Sequence, residues 1–254
     1  MDSAVQVVTA ALVVIGSEIL SGRTQDANIK VVAERLGAKG ITLNEVRIID
    51  DRAEQIISTV NELRRVYDWV LTCGGIGPTH DDITAASIAR AFGVELRLDP
   101  RAVALLTHHY APSPVSDARL KMAEIPAGAE LIGNPISKAP GFLIGNVAVM
   151  AGVPNIMRAM LDDLLPRLEG GAVVLSRTIT AAIGESQIAH ALSAIQDEFP
   201  MVQIGSYPYY RSGGFGTSLV LRSALQDKLD KATAAVRKLV EQLGAVIIDA
   251  PPEE

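Results

Sequence analysis

The sequence contains one cysteine, Cys73, in 254 residues. A lone thiol forms no internal disulfide and no cysteine zinc cluster, and a reducing cytoplasm is the expected location. No run of Lys or Arg occurs, and the net charge is −6. Without a basic patch, neither nucleic acid nor an anionic membrane surface is an expected partner. No apolar run is long enough to span a bilayer. The most apolar early segment, Val7 to Ile15, has no basic residue before it and meets Ser17-Glu18 at once. It is too short for a span and lacks the flank of a signal peptide, so it reads as a buried first strand. Also missing are a P-loop, a serine nucleophile elbow and a Gly-x-Gly-x-x-Gly turn after the first strand.

Hydrophobic residues make up 48% and charged residues 20% of the chain, a globular balance with length for one large or two ordinary domains. Strand and helix patterns alternate through the first two thirds. Strands are read at Ala10–Ile15, Thr42–Ile49 and Trp69–Leu71. Helices are read at Ile29–Leu36, stopping at Gly37, at Arg52–Tyr67, and at Ile83–Phe92, stopping at Gly93. This β-α-β-α-β-α order argues for a parallel sheet covered by helices on both faces. A helix at Arg101–Tyr110, strands at Ala129–Ile132 and Gly141–Met150, and a helix at Asn155–Leu168 follow. Gly170-Gly171 marks a boundary. Beyond it a β-α-β-β-α-β order reads as a split βαβ, ferredoxin-like layer. The expected organisation is an α/β domain over 1–170, an α+β domain over 171–250 and a loose tail over 251–254.

The segment Leu71–Thr84 carries the most chemistry. A strand enters it. Gly74, Gly75 and Gly77 follow, then Pro78, Thr79 and the adjacent carboxylates Asp81 and Asp82, and a helix leaves it. Glycines and a helix N-terminus offer backbone amides to an anion. Two carboxylates would repel a phosphate unless a divalent metal lies between them. Two readings of the aspartates stay open: a helix cap, or ligands of Mg²⁺ or a related hard cation. Thr79 and Thr84 are turn residues or hydroxyl donors to a ligand.

Loops at the carboxyl ends of parallel strands share one crevice. Gly16-Ser17-Glu18 therefore belongs on the same edge, Ser17 as an N-cap or ligand contact and Glu18 as a third carboxylate. Asp26 and Asn28 read as caps or polar contacts. Asn134-Pro135 and Lys138-Ala139-Pro140-Gly141 form a turn-rich loop in which Lys138 can counter phosphate charge. Gly152-Val153-Pro154 is another strand-to-helix junction. Cys73 reads as a small buried residue, and Gly205–Gly216, rich in glycine and aromatics, as a hairpin loop or a ring-stacking surface.

These motifs fall in a known order: Gly16-Ser17-Glu18-Ile19-Leu20, Gly74-Gly75-Ile76-Gly77-Pro78-Thr79-x-Asp81-Asp82-x-Thr84, Asn134-Pro135, Ala139-Pro140-Gly141-Phe142 and Gly152-Val153-Pro154. Over residues 8–168 they resemble the molybdopterin-binding-like domain of the competence/damage-inducible protein A (CinA) family, related to MogA, MoaB and gephyrin. Gly184-Glu185-Ser186 and Gly205-Ser206-Tyr207-Pro208 resemble the region that follows this domain in eukaryotic FAD synthases. Two details depart from the pattern: Ala151 stands where a proline is usual, and Cys73 interrupts the common Leu-Thr-Gly-Gly run.

The resemblance implies a three-layer α/β/α fold with a smaller C-terminal α+β domain, and a homo-oligomer, dimer or trimer. It implies Asp81 and Asp82 as metal ligands for Mg²⁺, Mn²⁺ or Co²⁺, to which the strand-edge argument adds Glu18, and the amides of Gly74, Gly75 and Gly77 as phosphate donors. The activity it implies is metal-dependent hydrolysis of ADP-ribose, FAD or a similar pyrophosphate. Alternatives are a binding module for molybdopterin or a nucleotide, and a molybdenum cofactor biosynthesis enzyme. Neither the deamidase domain of CinA nor the synthetase domain of FAD synthases is recognised in the sequence, so neither reaction is expected.

Overall fold

The computed structural model describes residues 7–211 and 214–248. The chain divides into two compact units, one ending at Ala172 and the other beginning at Val173. Among the described residues no helix is long and apolar enough to cross a membrane.

The first unit runs β1 (Val8–Ile15), α1 (Ser17–Leu20), α2 (Ile29–Ala38), β2 (Ile41–Ile49), α3 (Ala53–Leu63), β3 (Trp69–Cys73), α4 (Thr84–Phe92), β4 (Leu96–Leu98), α5 (Pro100–Tyr110), α6 (Asp117–Leu120), a 3₁₀ turn Lys121–Ala123, β5 (Glu124–Pro126), β6 (Glu130–Ile132), β7 (Gly141–Ile144), β8 (Val147–Met150) and α7 (Pro154–Leu164). Its main sheet has the order β2-β1-β3-β8-β7-β6. The pairs β1–β2, β1–β3 and β3–β8 are parallel, and β7 runs antiparallel to both neighbours.

The period-2 pattern of β1 explains the layers. Ala11, Val13 and Ile15 join one core with Ile56, Val60 and Leu63 of α3, Ile88 of α4 and Leu106 of α5. Val8, Ala10, Leu12 and Val14 join the other with Val32 and Leu36 of α2 and Met157, Met160, Leu161 and Leu164 of α7. A central parallel strand covered on both faces is apolar at every position, not alternately. Burying each such Leu, Ile or Val is worth about 1.5–3 kcal/mol. This is the three-layer α/β/α architecture expected from the sequence.

Several boundaries differ. The run Gly141–Met150 is a hairpin, not one strand. It turns at Gly145, whose φ is +55°, and Asn146, whose side-chain amide donates to the carbonyls of Arg64 and Tyr67 at 3.0 Å each. The flanks are so apolar that a Gly-Asn turn is masked in a hydropathy reading. The first long helix passes through Gly37, and the left-handed turn falls at Gly40 (φ +77°). The helix read over Arg52–Tyr67 ends at Leu63, where Arg64 to Tyr67 turn toward β3.

The second unit runs β9 (Leu175–Ala181), α8 (Glu185–Glu198), β10 (Gln203–Arg211), β11 (Gly214–Ser223), α9 (Gln226–Gln242) and β12 (Ile247–Ile248). Its antiparallel sheet has the order β10-β11-β9-β12, as a split βαβ requires. Ile188 and Leu192 of α8 and Leu229, Ala232, Val236 and Val240 of α9 pack on Ile179, Ala181, Leu219 and Leu221 of the sheet. The segment Gly205–Gly216, read as a loop, is largely paired strand: the ladder continues to Tyr210 opposite Phe215. Ser212-Gly213, Asp249 and the tail lie outside the described residues.

Candidate functional site

The carboxyl ends of β1, β2, β3 and β8 open onto one crevice of about 650 Å³. The strand ends are held so tightly that a side chain does not fit. Gly74 has φ +113°, and a Cβ there would lie 2.0 Å from the Ile15 carbonyl oxygen. The amide of Gly74 donates to the Met150 carbonyl at 3.1 Å. The loop after β1 is tied to β2 in the same way, Gly16 N to Ile49 O at 3.0 Å and Ser17 N to Asp51 Oδ2 at 2.9 Å.

Of the residues singled out in the sequence, Ser17, Glu18, Gly74, Gly75, Gly77, Asp81, Asp82 and Asn134 line this crevice. Their roles differ in part from expectation. Gly74 is no phosphate donor, because its amide is committed to Met150. The amides of Gly75, Ile76 and Gly77 have no acceptor among the described residues, and they remain available to an anion. Asp82 caps no helix. Its Oδ2 accepts from the Thr79 amide at 2.8 Å and the Thr79 hydroxyl at 2.5 Å, closing the turn. Ser17 is the first residue of α1 rather than its cap, and Asp51 takes its amide.

Three expected ligand contacts are structural instead. Asn28 is buried, and its Nδ2 donates to Gly152 O at 2.9 Å, while Asp26 Oδ1 accepts the amides of Asn28 and Ile29. Thr84 is buried and donates to Gly74 O at 3.0 Å, pinning the glycine turn from below. Asn134 spends its side chain on its own loop, accepting from Ile136 N and Ser137 N and donating to Ala139 O. Lys138 has φ +61° and is not among the residues that line the crevice. Thr79 is exposed, with its hydroxyl on Asp82.

Glu18, Asp81 and Asp82 all line the crevice, yet among the described residues no three of His, Cys, Asp and Glu are grouped to hold a metal ion. Glu18 folds back over Gly16, where a Cβ would lie 2.6 Å from its Oε1, and Asp82 is half engaged by Thr79. The free donors are all oxygens, a set that suits a hard cation shared with water and ligand phosphates rather than an all-protein cage. Asp81 titrates below the ordinary aspartate range because the Thr79 side chain lies beside it, although that hydroxyl's one proton goes to Asp82, and because of its own amide, with smaller help from the charges of His80 and Lys121.

Three lining groups escaped the sequence reading. Asp51 follows β2 and is half-buried. Burial raises its proton affinity, the Ser17 amide opposes this, and Glu18, Asp50 and Asp81 add to it. The strand-edge logic that found Glu18 would have found it too. Lys121 donates through Nζ to the Thr79 carbonyl. It lines a second cavity of about 110 Å³ that shares Gly75, Ile76, Gly77 and Asp82 with the crevice. Tyr110, at the end of α5, lines the crevice itself. No local signal marks either of the last two. Cys73 is buried, its thiol pushed up to about 12 by burial, an environment that suits a structural cysteine rather than a nucleophile.

The raised proton affinity of Asp51 has a consequence for stability. A carboxyl with a folded pKa above its unfolded value favours folding fully below the unfolded pKa and loses that contribution as pH rises through the folded pKa. Asp51→Asn keeps an acceptor for Ser17 without the charge. It is expected to be more stable than the parent at pH 7, with the difference vanishing below the ordinary aspartate range. Urea denaturation at both pH values measures this; a less stable variant at pH 7 would contradict it.

Residues 11–170 match the model of the probable molybdopterin binding domain. The chain belongs to that family. In this molybdopterin-binding-type chain, residues 173–249 also match the middle domain of FAD synthase. A protein of Aeropyrum pernix is 33% identical over 259 residues, 94% of this chain and 96% of that one. A probable FAD synthase of Caenorhabditis elegans is 28% identical; the match covers 91% of this chain and 50% of the nematode protein. The solved structure of CinA from Thermoplasma acidophilum superposes with a TM-score of 0.59 at 32% identity, covering 63% of this chain and 96% of that one. The crevice therefore sits wholly within the molybdopterin-binding-type unit.

Proposed function

We propose that the crevice is the active site of a divalent-metal-dependent pyrophosphatase acting on a dinucleotide-like substrate such as ADP-ribose or FAD. One observation carries the reading: the unpaired amides of Gly75, Ile76 and Gly77 line the same crevice as Asp81 and Asp82. Anion donors beside hard-cation ligands suit a metal–pyrophosphate unit better than either component alone. The FAD-synthase-type second unit supports a nucleotide substrate.

In this reading Asp81 and Asp82 would hold the cation. When bound, the cation neutralises phosphate oxygens and lowers the pKa of water. The amides of Gly75 to Gly77 hold non-bridging oxygens, and Lys121 adds positive charge beside them. Water attacks one phosphorus in line; the bond from that phosphorus to the bridging oxygen breaks, and two monophosphates leave. Asp51, of raised proton affinity, is suited to accept the proton of the attacking water.

A second reading, a molybdopterin- or nucleotide-binding module without chemistry, is favoured by the absence of a three-carboxylate set among the described residues. Incubating the protein with ADP-ribose, FAD and pterins under Mg²⁺, Mn²⁺ and Co²⁺, and weighing the products, separates them. AMP with ribose 5-phosphate or FMN is expected. Tight binding without products would favour the module.

A further inference from the structure

The lining of the crevice is divided by element. The loops after β1, β2 and β3 bring its carboxylates and free amides. The later helical segments bring large side chains, among them Tyr110, Met122, Ile156 and Met160. Tyr110 is the one aromatic residue among those that line it. The guanidinium of Arg119 lies 3.8 Å from its ring centroid, and His109 meets it edge-on at 4.9 Å. The ring is thus held by a cation over one face and by a T-shaped contact with its neighbour. Its hydroxyl has no partner among the described residues, although a half-buried tyrosine usually finds one.

We propose that Tyr110 is the ring-stacking residue of this crevice, holding the flat heteroaromatic base of a nucleotide whose phosphates lie at Gly75–Gly77. This rests on the pyrophosphatase reading for the phosphate end and extends it to the ligand class. A π-face accepts a purine or an isoalloxazine alike, so the stacking residue fits either ring. A ring held from behind by a cation loses little freedom when a ligand stacks on it. The nucleotide is then selected at two points: charge at the glycine turn and a flat ring at the end of α5.

The test uses the full chain and three probes: FMN, followed by quenching of its fluorescence, and AMP and ribose 5-phosphate, followed by calorimetry. Tyr110→Phe keeps the ring; Tyr110→Leu keeps apolar bulk without it. Tyr110→Leu is expected to weaken FMN and AMP about tenfold and to leave ribose 5-phosphate unchanged, with Tyr110→Phe close to the parent for all three. Circular dichroism melts confirm that both variants fold. Equal loss for ribose 5-phosphate, loss in both variants alike, or no loss in Tyr110→Leu would overturn the assignment. If the parent cleaves ADP-ribose or FAD while Tyr110→Leu binds FMN and AMP normally, this inference fails and the catalytic reading stands. If the parent neither binds the probes nor cleaves, both fail.

Discussion

Asp82→Asn is expected to reduce metal-dependent turnover by at least about 10²-fold with little change in melting temperature. The aspartate has two tasks. Its Oδ2 closes the turn through the Thr79 amide and hydroxyl, and its charge faces the crevice. Asparagine keeps an acceptor oxygen for Thr79 and removes the charge, so it isolates the second task. Asp82→Ala removes both and is expected to lose stability as well as turnover. Thr79→Val loosens the turn and spares the charge, so its turnover is expected to fall far less. The carboxylate also lies against Gly77, where a Cβ would be 2.7 Å from Oδ2, so any bulk at Gly77 displaces it. Steady-state rates with ADP-ribose at saturating Mg²⁺ measure the effect. An Asp82→Asn enzyme within twofold of the parent would remove Asp82 from the chemistry.

Gly74→Ala is expected to destabilise the first unit by at least about 3 kcal/mol, a fall in melting temperature of roughly 6–12 °C for a unit of this size. A left-handed backbone alone costs an L-residue about 1 kcal/mol. At Gly74 the added Cβ also meets the Ile15 carbonyl at 2.0 Å, and that oxygen belongs to a central strand that has no room to move. Gly22 is the matched control. Its φ is +72°, and nothing lies within 4 Å of its Cβ position. Gly22→Ala therefore reports the conformational cost without the clash. Thermal melts of the two variants test the argument, and equal losses would show that the approach of β3 to β1 is not tight.

The site was legible in the sequence where its chemistry is local. Three glycines, a proline and two carboxylates between a strand and a helix read as a candidate anion and cation site from local sequence alone, and the structure places them on one crevice. The shared edge of a parallel sheet then brings Glu18 and the Gly152 junction to the same crevice. The individual roles were less legible, because a side chain with the right chemistry has more than one partner within reach. Asn28 reads as a cap and is locked to Gly152. Thr84 reads as a ligand contact and is buried under Gly74. Asn134 satisfies itself.

The sequence by itself determined the layer order, the split βαβ of the second unit, the crevice edge and the paired aspartates, since period-2 and period-3.6 patterns and glycine turns act over a few residues. Only the tertiary structure decided which amides stay free among the described residues, that Asp51 is half-buried among like charges, that Lys121 reaches the glycine turn and that Tyr110 lines the crevice. Those outcomes depend on contacts between segments tens of residues apart. Burial and hydrogen-bond competition, which no local pattern encodes, select among them.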